Sequence, residues 1–178
     1  IHDKNGDCAL DDPTPGECNS GPFKEDAEFF WDEASDAIWL LEVNARISKS
    51  HAPLFEMVDG VSHHAANLEL ALGRAPSFPR GEGRWPLAAK FMVRMHDDAV
   101  CARVPGPDAL ADIAARHPDA AVQVHVRPGM RLSELRHQDS YSYEVAVLFL
   151  GAEDEPALLA AYDDCLDRLG FEFRRDAA

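Results

Sequence analysis

The chain has 178 residues, 46% of them apolar and 28% charged, a globular balance that excludes a wholly disordered or collagen-like chain. Thirty-two acidic residues stand against 17 basic ones, for a net charge of −15. A surface that negative repels phosphate backbones and anionic lipid, so it argues against general binding to nucleic acid or membrane, yet it suits a site that works with cations.

No apolar run approaches the roughly 18 residues a membrane span needs. Cys8, Cys18, Cys101 and Cys165 are scattered without a C-x-x-C pair, which argues against a zinc knuckle or a disulfide framework. That usage fits reduced thiols and a cytoplasmic protein. A chain that opens Ile1-His2-Asp3-Lys4, with neither Met nor a secretory leader, is expected to be processed or part of a longer product.

In chain order, residues 1–25 are rich in Asp, Gly, Pro and Asn and predict loop, with a strand end at Ile1–Lys4. Asp26–Asp32 and Ile38–Asn44 predict two strands joined by the five-residue loop 33–37, a β-hairpin. Ile47–Pro53 is turn-rich. A helix is predicted over Asp59–Leu72, with Val61, Ala65, Leu68 and Leu72 on its apolar face. Residues 76–86 hold Pro76, Pro79, Pro86, Gly81 and Gly83, and mark a boundary between residues 1–75 and 87–178.

Beyond that boundary, Leu87–Met95 and Ala99–Val104 predict strands about the turn His96-Asp97-Asp98. Pro107 suits the first position of a helix over 107–116. Val122, Val124 and Val126 alternate with Gln123, His125 and Arg127, a half-buried strand. Tyr143–Leu150 predicts another strand. Glu153–Leu169 predicts a helix with Leu158, Tyr162, Cys165 and Leu169 on one face. The back half is therefore α+β.

The chemistry concentrates in Glu42-Val43-Asn44-Ala45-Arg46. Alternation puts Glu42, Asn44 and Arg46 on one strand face and Trp39, Leu41 and Val43 on the other. With the hairpin loop centred on Ser35, Glu28 stands opposite Glu42. Directly opposed side chains have Cβ atoms about 4.5–5.5 Å apart, and like charges there repel. Such a pair either shares a proton or holds a cation. Oxygen ligands from Glu28, Glu42 and Asn44 suit Mg²⁺ or Mn²⁺, whose shell is usually completed by water and nucleotide phosphates. Arg46 would then face the anion that the metal presents. The plain alternative is a solvated polar strand face with a surface Glu–Arg pair.

Glu28 within DAEFFWD, then WLLEVNARISKSH, then FEMVDGVS, resemble the C-terminal part of an ATP-grasp ligase, in the branch of biotin carboxylase and the L-amino-acid ligases. The likeness is specific over residues 23–75 and one of pattern over 87–173. It implies an α+β fold: the C-terminal portion of an ATP-grasp fold, an antiparallel metal-binding hairpin followed by a small closing α+β subdomain. By resemblance Glu28, Glu42 and Asn44 bind the magnesium of Mg·ATP, and Arg46 stabilises an acyl phosphate or its attacked form. His51 would line the substrate pocket, with an ordinary loop histidine as its alternative.

Two departures count. Carboxylases of the branch carry a Glu-His pair after the arginine, where this chain has Ser50-His51, so the base that helps activate bicarbonate is missing. The glycine-rich flap and adenine-binding lysines of the family are not identifiable either. The resemblance thus implies an ATP-dependent carboxylate–amine ligase, with ATP as co-substrate and an amino acid as one substrate, compatible with a homodimer. The alternatives are a carboxylase-like relative and a non-catalytic α+β ligand-binding fragment.

Other constellations carry less. His63-His64 lack metal-ligand spacing and are expected at the surface. Arg80-Gly81-Glu82-Gly83-Arg84 lacks the strand-to-helix setting of a phosphate cradle. Gln138-Asp139-Ser140-Tyr141 is explained by an Asx turn entering a strand.

Overall fold

The computed structural model describes residues 2–3, 26–32, 34–44, 48 and 51–175. The described strands are β1 (His2–Asp3), β2 (Asp26–Asp32), β3 (Ala37–Asn44), β4 (Leu87–Met95), β5 (Val100–Arg103), β6 (Ala121–Val124), β7 (Tyr143–Ala152) and β8 (Glu172–Arg174). The helices are α1 (Ala52–Asp59), α2 (His63–Ala71), α3 (Pro107–Arg116) and α4 (Glu155–Leu169). A four-stranded sheet runs in the order β1-β4-β7-β6, and β2-β3 and β5-β8 form two-stranded sheets. The chain divides into two compact units, Ile1–Ala89 with Gly151–Glu155 and Lys90–Leu150 with Pro156–Ala178.

In the first unit the helix expected over Asp59–Leu72 is the shorter α2, His63–Ala71, and Asp59 instead closes a separate helix, α1. Gly60, at φ +81°, takes the left-handed conformation and ends α1, and extended Ser62 starts α2. The start of α1 at Ala52, with Pro53 in its first turn, falls within the segment expected to be turns. The apolar spacing misled because part of it lies outside any helix: Val61 sits in the break, Leu68 and Leu72 are exposed, and the buried residue of α2 is Ala66. The core of α1 is Ala52, Leu54, Phe55 and Val58.

The Pro/Gly-rich stretch 76–86 runs along the end of α1 and supplies donors to it. The N–H groups of Gly83 and Trp85 donate to the carbonyl oxygens of Val58 and Met57 at 2.8 and 3.0 Å, and Gly81 N–H donates to the Asp59 carboxylate at 2.8 Å. Carbonyls that a helix end leaves without partners are thereby satisfied. His63 lies not in open solvent but against Phe55, ring centroids 3.6 Å apart, with Phe78 edge-on at 6.3 Å.

In the second unit β7 has neighbours along both edges, and its run Val145–Leu150 is buried throughout. A strand enclosed in this way needs an almost continuous apolar stretch, whereas β6 at the sheet edge alternates exposed and half-buried positions. Ala99, Cys101, Val126, Leu132, Leu135 and Val145 form a buried core. α3 begins at Pro107 as expected, and α4 buries Leu158, Cys165 and Leu169. The sequence patterns did not signal β8. Only three residues long, it pairs with β5 and is fastened by the Arg103–Glu172 ion pair at 2.9 Å.

Candidate functional site

The hairpin β2-β3 positions the residues singled out for chemistry. Its turn is organised by Asp32, whose carboxylate accepts hydrogen bonds from the Ser35 hydroxyl at 2.7 Å and the Ala34 N–H at 3.1 Å. Those bonds, the Ser35 hydroxyl first, hold the Asp32 carboxyl below the usual carboxylate range. Asp36 adopts φ +53°, a left-handed conformation that Asp tolerates, and accepts from the Trp31 indole N–H at 3.1 Å. Asp32 pairs with Ala37, so four residues rather than five close the hairpin.

A loop one residue shorter would slip the register, and a bulge restores it. Phe29 pairs with Leu40 but Glu28 with Glu42, which leaves Leu41 as the extra residue. Glu28 and Glu42 are therefore direct cross-strand partners, with Asp26 and Asn44 paired two positions further on. The bulge also breaks the alternation expected along β3. Trp39, opposite Phe30, falls in phase with Glu42 instead of on the opposite face with Val43.

Of the other expected site residues, Arg46 lies outside the described residues. His51 immediately precedes α1, and its carbonyl accepts from the Leu54 N–H at 2.8 Å. Residue types that offer oxygen thus occupy two successive register pairs, Glu28 with Glu42 and Asp26 with Asn44. That donor chemistry fits a hard divalent cation such as Mg²⁺.

The second unit carries a polar cluster that the sequence patterns did not disclose. Asp139 does form the expected Asx turn, accepting from the N–H groups of Tyr141 and Ser142 at 2.8 and 2.7 Å. It also accepts from Arg94 at 2.7 Å. The same guanidinium reaches Ser142 at 2.7 Å and Glu144 at 3.7 Å. Residues so far apart in the chain share no spacing rule; the polar alternation around His125 was the available clue.

No protein-family model and no curated protein matches the chain. Solved structures do match its fold. Biotin carboxylase from Campylobacter jejuni, solved with β-γ-ATP, aligns at TM-score 0.56 and 16% identity over 84% of this chain and 32% of that one. The biotin carboxylase domain of the Hydrogenobacter thermophilus 2-oxoglutarate carboxylase, a dimer solved with MgADP, ADP and bicarbonate, aligns at TM-score 0.54 and 17% identity over 84% and 31%. N5-carboxyaminoimidazole ribonucleotide synthetase from Thermotoga maritima aligns at TM-score 0.51 and 12% identity over 85% and 37%. The chain thus spans about a third of the length of these proteins. Its fold is that of the C-terminal portion of an ATP-grasp fold, an antiparallel α+β arrangement. Among the described residues no helix is long and apolar enough to cross a membrane.

Proposed function

We propose that this chain forms the metal-binding side of an ATP-dependent carboxylate–amine ligase that works through an acyl phosphate, with an amino acid as one substrate. The observation that carries the reading is the direct pairing of Glu28 with Glu42. Two carboxylates at one register position repel, and a bound cation relieves that repulsion. In this reading Glu28, Glu42 and Asn44 hold Mg²⁺ or Mn²⁺, and the bound metal neutralises charge on the phosphates of ATP. Phosphoryl transfer from ATP to the carboxylate would leave ADP and an acyl phosphate. Attack by the amine on its carbonyl would then release phosphate. Arg46 is assigned to the anionic centre of that attack, and His51 to the wall of the substrate pocket. Residues 1–75 supply the metal hairpin, 76–86 the link and 87–178 the closing subdomain.

A carboxylase-like chemistry is the second reading, favoured by the bicarbonate bound to one of the proteins of like fold and opposed by Ser50. The two separate by whether an amino acid or bicarbonate promotes ADP formation when the full-length gene product is assayed.

The metal assignment is tested on this chain by calorimetric titration with Mg·ATP, beside Glu42→Gln and Asn44→Asp. Weak binding to the parent chain that Glu42→Gln abolishes is the expected result. Binding that survives Glu42→Gln, or none to the parent chain, overturns the assignment.

A further inference from the structure

His125, His137 and Glu144 each direct one ligand atom into a common space, all three atoms lying within 4.8 Å of one another. They are brought together by backbone pairing. The His125 N–H donates to the Val145 carbonyl at 2.9 Å, and the Glu144 N–H donates to the His137 carbonyl at 2.8 Å. β7 therefore sets Glu144 beside both histidines, whose rings stack with centroids 4.0 Å apart and planes 16° apart.

The geometry points to a binding site for a divalent transition-metal ion, Zn²⁺ foremost, formed by His125, His137 and Glu144 and separate from the hairpin carboxylates.

Two features support this. First, Nε2 of His125 lies 3.3 Å from Oε1 of Glu144. Two ligands each about 2.0–2.1 Å from a tetrahedral zinc are about 3.3–3.4 Å apart, so this pair already has the separation such an ion imposes. Second, that nitrogen is buried without a well-formed hydrogen bond, with the Glu144 oxygen at 3.3 Å as its charged neighbour. Buried polar atoms are normally satisfied, and a nitrogen left over beside a carboxylate is short of a third partner. His137 is exposed, so its ring has room to tilt out of the stack and complete the set.

The surroundings select the kind of ion. Arg94 lies 3.7 Å from the second oxygen of Glu144, which holds the carboxylate in place as an outer partner does. Lys90 also acts electrostatically on His125. Two cations close by work against an ion held by charge alone. They leave an advantage to ions that imidazole nitrogen binds strongly, Zn²⁺ and Co²⁺ rather than Mg²⁺ or Ca²⁺. Three protein ligands leave a fourth position for water or an anion, the pattern of zinc sites that remain open.

The test titrates the full chain with Zn²⁺ by calorimetry and with Co²⁺ by visible absorption. The expected result is one ion bound with micromolar or tighter affinity, and Co²⁺ bands of a low-coordinate nitrogen–oxygen site. His137→Ala, at an exposed position, is expected to weaken binding at least tenfold with an unchanged far-ultraviolet circular dichroism spectrum. Glu144→Gln is expected to weaken it as well. Absence of binding, or binding undiminished in His137→Ala, overturns the proposal. Glu42→Gln, which addresses Mg·ATP, is expected to leave Zn²⁺ affinity unchanged, so failure of one assignment is distinguishable from failure of the other.

Discussion

Gly83 donates its backbone N–H to the carbonyl oxygen of Val58 at 2.8 Å, and a Cβ added to it would lie 2.4 Å from the Val58 carbonyl carbon and 2.3 Å from the Met57 carbonyl oxygen. The atoms in the way are backbone, so no rotamer change relieves the contact. Gly83→Ala must push the 76–86 strap off the end of α1 and loosen the bonds that satisfy its last carbonyls. The expected loss is about 3 kcal/mol, the upper end for overpacking. Gly73 is the control. It has φ +72°, and a Cβ added there would meet nothing within 4 Å, so Gly73→Ala should show only the backbone strain of about 1 kcal/mol. Urea midpoints of the two variants check this, and equal losses would show that the strap is not tightly held.

How much of this was legible in the sequence varies with the physics behind each element. β4 and α3 were found end to end, because the proline before β4, the polar turn after it and the proline at the first helical position of α3 are local signals. The opposition of Glu28 and Glu42 was also found, though by two offsets that cancel: a loop one residue shorter than expected and a bulge at Leu41. The Asp59–Leu72 helix failed because its apolar spacing starts at Val61, in the break that the left-handed backbone of Gly60 opens after α1, and α2 begins only at His63. His125, His137 and Glu144 were not legible as a set. Strand pairing joins them, and their separations of 12 and 7 residues match no ligand motif.

Acid is expected to loosen the packing of α3 on α4 before the rest of its unit. The Arg168 guanidinium donates to both oxygens of Asp164 at 2.8 Å and reaches across to Asp112, while His117 lies 2.8 Å from Asp164. Arg168 first, then His117, hold the Asp164 carboxyl far below its ordinary 3.8. A carboxyl whose pKa is depressed on folding contributes stability that is present above its unfolded value and lost as pH falls toward the folded one. The stability difference between the parent chain and Asp164→Asn should thus be present at pH 5 and shrink steadily below pH 3.8. Urea midpoints across that range check it, and a difference independent of pH would mean that the ion pair contributes nothing.

Cys101 and Cys165 are expected to resist alkylation in the native chain. Both are free and buried. Burial pushes the Cys101 thiol up, and burial with the neighbouring Asp164 charge pushes Cys165 to about 11. The thiolate is the nucleophile, and at pH 8 its population at these sites is small while the reagent has no access. Iodoacetamide at pH 8 followed by peptide mapping should leave both unmodified in buffer and modify both in urea. Native labelling of Cys165 would show that α4 opens readily.

The hairpin that carries Glu42 is expected to bind hydrophobic dye. Ile38 and Trp39 are 67% and 63% exposed, and Phe30, Trp31, Leu40 and Leu41 are exposed with them. Paired residues share a ribbon face, and these fall on both faces: Phe30 with Trp39 on one, Trp31 with Ile38 on the other. A two-stranded ribbon is marginally stable by itself, and a contiguous apolar surface of this kind attracts other apolar groups. Anilinonaphthalene sulfonate should fluoresce strongly with the native chain. The double substitution Ile38→Thr and Leu40→Thr, which places β-branched side chains at both strand positions, should reduce that signal and the tendency to aggregate while leaving the far-ultraviolet spectrum unchanged. Dye fluorescence unchanged by the substitutions would place the accessible apolar surface elsewhere, on α2, where Leu68 and Leu72 are also exposed.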